Sequence, residues 1–287
     1  MMLNELILLH PIVTYLFFCV FCLAIGSLLN VVIYRLPLML QADWRAQCHD
    51  LLELPMTQNP KVNLFFPRSF CPSCKNTIPF WHNIPILSYC ILKGQCACCQ
   101  APIPFRYPLI EAICLILSLL AALHFGFTFE LIFALVFIWL ITCLFVIDLQ
   151  HQLLPDCLTF CLLWLGLIAN TQSVFTTLTD AVLSAAAAYI TLWVFIKLFY
   201  LLTGKIGMGN GDFKLFAAFG AWFGWTQLPL ILLLSSITGA ITGVIYLKTT
   251  HQTKETPIPF GPFLCVSGLV SLFYGKAIIK WYLGIYT

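Results

Sequence analysis

The sequence predicts an all-α polytopic membrane protein with about eight transmembrane helices. Hydrophobic residues make up 61% of the 287 residues and charged residues only 9%, with a mean hydropathy of +0.96. Soluble proteins carry about 25% charged residues, so a soluble fold is excluded. The apolar residues also occur in long runs, as membrane spans require. The net charge of +3 is too small to indicate nucleic-acid binding.

Eight apolar segments follow one another along the chain. The predicted spans cover residues 8–34, 109–125, 130–147, 157–170, 181–203, 213–226, 228–247 and 260–283. A helix needs about 20 apolar residues to cross a bilayer, so the fourth and sixth segments are short for this role. The first segment is too long for the apolar core of a signal peptide and lacks a small-residue cleavage site, which predicts a retained span.

Basic residues orient these spans. Of 14 Lys and Arg, seven lie between Arg35 and Arg106, inside the one sizeable polar insertion, residues 35–108. Because cytoplasmic loops of membrane proteins carry an excess of Lys and Arg, this insertion is predicted to be cytoplasmic. The predicted organisation is a first span (1–34), a cytoplasmic insertion (35–108) and a seven-span membrane core (109–287).

Two aspartates stand at the ends of apolar segments. Asp148 follows the third predicted span, and Asp212 precedes the sixth within Gly209-Asn210-Gly211-Asp212. A carboxylate at the edge of the hydrocarbon is costly, so such an acid indicates a functional site. Since two predicted spans separate the aspartates, both should lie at the cytoplasmic face. If they meet, they form an acid–base pair suited to peptide hydrolysis.

Four cysteines in the insertion have the spacing of a zinc ribbon. Cys71-Pro72-Ser73-Cys74 and Cys96-Ala97-Cys98-Cys99 are separated by 21 residues. Two such tight turns suit tetrahedral thiolate ligation of Zn²⁺. A redox dithiol and incidental cysteines are the alternatives, but a reducing cytosol disfavours stable disulfides. The insertion is therefore predicted to be a small cytoplasmic zinc-ribbon-like module with four cysteine ligands, in which Cys71, Cys74, Cys96 and Cys99 bind the metal and Cys98 is a spare thiol.

These motifs together resemble the bacterial type IV prepilin peptidases, a family of GxGD aspartic membrane proteases. Gly26-Ser27-Leu28-Leu29-Asn30 through Arg35-Leu36-Pro37 is similar to the family's opening motif. The segments 68–74, 83–89, 93–96 and 106–111 resemble its cysteine loop. Asp148 to Asp156 and Gly209 to Lys214 resemble its two acid motifs. The resemblance covers nearly the whole chain, in the family's order.

The resemblance implies a bifunctional enzyme of the bacterial inner membrane. Its catalytic pair would be Asp148 and Asp212, on the cytoplasmic side, and its structural zinc ligands would be the four cysteines. Such an enzyme removes the short basic leader from type IV prepilins and type II secretion pseudopilins. It then N-methylates the new N-terminal residue with S-adenosyl-L-methionine. The insertion 35–108 would be the methyltransferase-associated region. The expected partners are these substrates and membrane lipid.

Two neighbours of the acid motifs receive simpler interpretations. Asp156, the second acid of the first motif, is predicted to be a helix N-cap after Pro155. Lys214 is predicted to contact phospholipid, the alternative being that it lies against Asp212. The sequence leaves open which aspartate is acid and which is base, as well as the oligomeric state.

Two other functions remain possible on sequence grounds. A non-catalytic zinc-dependent membrane assembly factor would keep the cysteine site and use the aspartates only in ion pairs. A GxGD intramembrane protease of the presenilin kind would cleave other substrates, but the cysteine insertion and the Gly-Ser-Leu-Leu-Asn opening argue against it. No G-x-G-x-x-G motif followed by an acid marks a methyl-donor site. Methylation therefore rests on the resemblance.

Overall fold

Most of the residues that the computed structural model describes are helical, and these residues are 11–54, 63–204, 207–250 and 259–284. Six helices in these ranges are long and apolar enough to cross a membrane, which confirms the predicted all-α polytopic membrane class. The α-helices are α1 (Pro11–Leu51), α2 (Leu87–Ile91), α3 (Arg106–Phe125), α4 (Phe129–His151), α5 (Asp156–Asn170), α6 (Leu178–Thr203), α7 (Asn210–Phe223), α8 (Leu228–Thr250) and α9 (Gly261–Leu283).

All eight apolar segments predicted from the sequence are helical, but two of them are too short for a full span. Helices α5 and α7 contain 15 and 14 residues. At about 1.5 Å per residue they are roughly 21–23 Å long, whereas the hydrocarbon core is about 30 Å thick. The other six segments reach the length of a span.

The chain forms two compact units, which divide after Phe127. In the first unit α1 packs against α3. A Cβ at Gly26 would lie only 3.0 Å from the Cα of Glu111, so the two helix backbones approach closely at this glycine. Helix α3, near the start of the predicted membrane core, belongs to this first unit.

Helix α1 continues to Leu51, well past the predicted end of the first span at residue 34. Arg35, which marks the end of the apolar run, is buried within the helix. Its guanidinium donates hydrogen bonds to the carbonyl oxygens of Asn63, Leu64 and Pro67, at 2.9, 3.3 and 2.6 Å. A buried charge is tolerated when its donors are satisfied, so the helix passes through this arginine without interruption.

Helix α7 lies at the centre of the second unit, where it packs against α5, α6 and α9. Every residue from Asp212 to Phe223 is buried except Lys214. Because protein surrounds α7 on all sides, its length is not set by the thickness of the bilayer.

Two glycines allow the neighbouring helices to approach α7. A Cβ at Gly166 of α5 would lie 2.5 Å from the ring of Trp222, and a Cβ at Gly220 would lie 2.7 Å from the backbone oxygen of Ser184 in α6. Trp222 also donates a 2.7 Å hydrogen bond from Nε1 to the carbonyl oxygen of Leu162. The position of α7, and of the acid at its start, is thus fixed by tight packing on both sides.

Candidate active site and metal centre

Asp148 lies in the last turn of α4, at the end of a nearly continuous apolar sequence. The helix ends at His151, where Gln152 adopts a left-handed conformation and donates its N–H to the carbonyl oxygen of Asp148 at 2.8 Å. The residue is only 5% exposed. The backbone N–H of Gly261, the first residue of α9, hydrogen-bonds to its carboxylate.

Asp212 lies in the first turn of α7 and is 7% exposed. The preceding Gly209 is the extended N-cap of the helix, and no side chain caps this end. A Cβ at Gly211 would lie 2.8 Å from the Cβ of Leu154, so only glycine allows the start of α7 to pack against the segment that follows α4. The glycines around Asp212 therefore permit the close approach of the two acid motifs.

The fold brings the two carboxyl groups into one buried site. Asp148 and Asp212 are close enough to interact electrostatically, and the fully buried thiol of Cys265 in α9 interacts with both. Oδ1 of Asp212 is buried and has no hydrogen-bond partner in the described part of the chain. A buried acceptor without a partner marks a position for a water molecule or a ligand. The site thus contains two acids, and one of them has an oxygen without a partner among the described residues.

Lys214 and Asp156 form an ion pair, and Asp156 is not the helix N-cap that the sequence predicted. The amine of Lys214 lies 2.6 and 2.7 Å from the two carboxylate oxygens of Asp156. It also lies 5.5 Å from the ring centre of Phe160. Pro155 is the N-cap of α5, and Asp156 is the first helical residue. Asp156 belongs to the first acid motif and Lys214 to the second, so this ion pair joins the starts of α5 and α7.

The two cysteine turns have the same backbone geometry. In each, the residue after the second cysteine is left-handed (Lys75, φ 59°, and Gln100, φ 58°) and donates its N–H to the carbonyl oxygen of the first cysteine. The N–H groups of Cys74 and Ser73 hydrogen-bond to the sulfur of Cys71 and lower the pKa of this thiol to about 6. The corresponding N–H groups of Cys99 and Cys98 lower the pKa of Cys96. Backbone N–H donors thus stabilise the thiolate form of the first cysteine in each turn, Cys71 and Cys96.

The four predicted metal ligands lie together. The sulfur atoms of Cys71, Cys74, Cys96 and Cys99 are all within 4.8 Å of one another. The sulfurs of Cys71 and Cys99 are 3.7 Å apart. Tetrahedral zinc with bonds of about 2.3 Å to sulfur places its ligands roughly 3.8 Å apart. The cluster therefore fits a metal ion of this kind.

Cys98 lies outside this cluster. Its sulfur accepts a 3.2 Å hydrogen bond from the side chain of Asn76, and the residue is exposed. The cluster therefore contains Cys96 and Cys99, the pair with the regular two-residue spacing.

Glu111 is a buried acid for which the sequence analysis proposed no role. It lies in the second turn of α3 and is 7% exposed. Its Oε2 accepts a 2.8 Å hydrogen bond from the N–H of Ile86, and its carboxylate also interacts with the side chains of Asn30 and Ser27. It therefore attaches the segment before α2 to the α1–α3 pair. The sequence feature that could have identified Glu111 is its charge beside an apolar run.

These features define a class of protein: a polytopic α-helical membrane protein with two buried carboxyl groups in one site and a separate four-cysteine cluster. Comparison with known proteins gives the family. Residues 20–125 match the Bacterial Peptidase A24 N-terminal domain, and residues 135–244 match the Type IV leader peptidase family. The chain belongs to the type IV leader peptidase family.

Three of its relatives carry the name prepilin leader peptidase/N-methyltransferase. A relative from Legionella pneumophila is 57% identical and covers 99% of each chain. One from Pseudomonas aeruginosa is 46% identical and covers 96% of this chain and 95% of its own, and one from Neisseria gonorrhoeae is 41% identical and covers 91% and 92%. No solved structure gives a significant match. The family and these names confirm the predicted peptidase with N-methyltransferase activity over the non-catalytic alternative.

Proposed function

We propose that this protein cleaves the leader peptides of prepilins and pseudopilins with Asp148 and Asp212, and then methylates the new N-terminal amine. The observation that carries the proposal is the pair of buried carboxyl groups, which two different helix ends contribute to one site. Such a pair is the chemical equipment of an aspartic peptidase. The names of the relatives support the substrate class.

In the proposed reaction the two carboxyl groups share one proton and act as a unit. The unprotonated carboxylate takes a proton from a water molecule, whose oxygen bonds to the carbonyl carbon of the scissile peptide. The protonated carboxyl donates its proton to the carbonyl oxygen. Collapse of the tetrahedral intermediate restores the carbonyl, breaks the carbon–nitrogen bond and passes a proton to the leaving amine. The buried Oδ1 of Asp212, which has no partner among the described residues, provides a place for the water or the carbonyl.

We infer that the metal of the four-cysteine cluster is zinc and that its role is structural. Four thiolates are a closed ligand set that leaves no open position for catalysis. The two turns that supply them come from segments joined by few regular elements, so a metal would hold this part of the insertion together.

We propose that the insertion 35–108 is associated with methyl transfer and that residues 109–287 carry the peptidase site. S-adenosyl-L-methionine would supply the methyl group. The relatives' names support this activity, and the sequence has no G-x-G-x-x-G motif of its own to locate the donor.

We further propose that the protein lies in the bacterial inner membrane with its peptidase site on the cytoplasmic side. The Lys and Arg content of the insertion supports this orientation. A reporter fused at residue 60 should be active in the cytoplasm, and activity only outside the cytoplasm would reverse the assignment.

Purified protein incubated with a prepilin, with and without S-adenosyl-L-methionine, tests the function. Wild type should release the leader, and the product should gain the mass of one methyl group only when the donor is present. Asp148→Asn and Asp212→Asn should each abolish cleavage, because neither amide can exchange the proton. Asp156→Asn is the matched control, since its side chain is 58% exposed and pairs with Lys214; it should keep most of the activity. Normal cleavage by either Asp148→Asn or Asp212→Asn would contradict the mechanism.

A further inference from the structure

The first residue of α9 lies directly against Asp148. Gly261 is buried, and its N–H hydrogen-bonds to the Asp148 carboxylate. A Cβ at this position would lie 2.5 Å from Oδ2 and 3.1 Å from Cγ of Asp148. The space that a side chain would occupy is therefore already filled by the carboxylate.

The backbone conformation does not explain a glycine here. Gly261 lies outside the left-handed region, in which glycine has its conformational advantage. It begins a helix with Pro262 in the first turn. The unpaired N–H groups and the dipole of a helix N-terminus attract a carboxylate, and the missing side chain lets this one approach to hydrogen-bonding distance.

The same turn of α9 contacts the rest of the site. Cys265, one turn after Gly261, interacts with both aspartates. A Cβ at Gly261 would also lie 3.1 Å from Cδ1 of Leu154, and Leu154 in turn packs against Gly211, which precedes Asp212. The starts of α7 and α9 are thus held against the end of α4 through one leucine and two glycines.

We propose that Gly261 is a positioning residue for peptide cleavage: its N–H and its lack of a side chain hold the Asp148 carboxylate at the working distance from Asp212. The proposal rests on the proposed function of this pair. Contacts to a Cβ under 3.0 Å essentially do not occur, so a methyl group at 261 requires residue 261 and the Oδ2 of Asp148, 2.5 Å from the added Cβ, to move apart by at least 0.5 Å. A misplacement of about 1 Å at a reacting group lowers the rate by roughly 100-fold.

Gly268 in the same helix supplies a matched control. A Cβ at Gly268 would lie 2.6 Å from the ring of Phe219, so it meets a steric conflict like that at Gly261 but away from Asp148. Gly261→Ala and Gly268→Ala should therefore lower the melting temperature to a similar extent. Only Gly261→Ala should lower kcat for a prepilin, by about 10-fold or more, with KM within about two-fold of wild type because the substrate-binding surface is unchanged.

A second variant separates the hydrogen bond from the steric effect. Replacing Gly261 by glycolic acid during cell-free synthesis converts the amide to an ester, which removes the N–H and adds no atom. This protein should keep its melting temperature within a few degrees and still lose kcat. It also provides the test if Gly261→Ala fails to fold.

The proposal is overturned if the ester protein, or a folded Gly261→Ala protein, cleaves at the wild-type kcat. A loss of kcat in Gly268→Ala equal to that in Gly261→Ala would also overturn it, since the effect would then be general packing. Cleavage by Asp148→Asn or Asp212→Asn would instead refute the underlying pair. If both aspartate variants are inactive and Gly261 is neutral, only the positioning role is wrong.

Discussion

Asn170 at the end of α5 is expected to be one of the most sensitive positions outside the active site. The side chain is fully buried and makes four hydrogen bonds. Its Nδ2 donates to the carbonyl oxygens of Ala221 and Trp222, at 2.7 and 3.1 Å. Its Oδ1 accepts the N–H groups of Phe175 and Thr176, at 3.0 and 3.1 Å. One amide thus caps the C-terminal end of α7 and fixes the segment that leads to α6.

The loss of stability expected for Asn170→Ala follows from these four hydrogen bonds. A buried hydrogen bond contributes a net of about 0.5–1.5 kcal/mol, so four of them sum to about 2–6 kcal/mol. Carbonyl groups left without a donor in the core add to the cost. Because proteins are stable by only about 5–15 kcal/mol, this loss removes a large part of the free energy of unfolding. Asn170→Asp should be at least as destabilising, since a carboxylate keeps the two acceptor bonds but repels two carbonyl oxygens.

Reversible unfolding in mixed micelles measures this difference. The neighbouring Thr171→Ala is the control, because the hydroxyl of Thr171 bonds only to Ile168 at an exposed position. Its effect should stay within about 0.5 kcal/mol. A free energy of unfolding for Asn170→Ala within about 1 kcal/mol of wild type would refute the reasoning, because it would mean that water or relaxation replaces all four bonds.

Two further predictions concern the ion pair and the metal. In a double-mutant cycle of Asp156→Asn and Lys214→Met, the coupling in the free energy of unfolding should be about 0.2–1 kcal/mol. The coupling is small because the two side chains are 58% and 23% exposed. Complete loss of cleavage in Lys214→Met alone would instead indicate that Lys214 acts on Asp212. Elemental analysis of purified protein should find about one zinc ion per chain. The Cys71→Ser protein should lose this zinc, and the Cys98→Ser protein should keep it. Equal metal content in the two variants would contradict the four-cysteine site.

Much of the architecture could be predicted from single-chain patterns. The apolar segments gave the helices, because a chain in lipid must satisfy its backbone hydrogen bonds within each segment. The cysteine spacing gave the four-thiol cluster, since each C-x-x-C turn is a local structure that needs only its own few residues. Asp148 and Asp212 were identified as candidates because a carboxylate beside an apolar run is costly.

The lengths and ends of elements were predicted less well. The first span was predicted to end at residue 34, and the helix that contains it continues to Leu51. The reason is the set of carbonyl oxygens from Asn63 to Pro67 that bind the guanidinium. A buried charge is tolerated when its donors are satisfied, and the partner segment here lies 28 or more residues away.

The sequence by itself thus determined the class of the protein, its eight apolar helices, its family and the residues that carry costly or reactive groups. Only the tertiary structure decided that α7 is enclosed by protein, that Lys214 pairs with Asp156, and that the two aspartates interact beneath the first turn of α9. These outcomes depend on contacts between segments far apart in the chain. A glycine such as Gly261 has no side chain to signal its role, and its importance becomes visible only when the carboxylate that fills its space is in view.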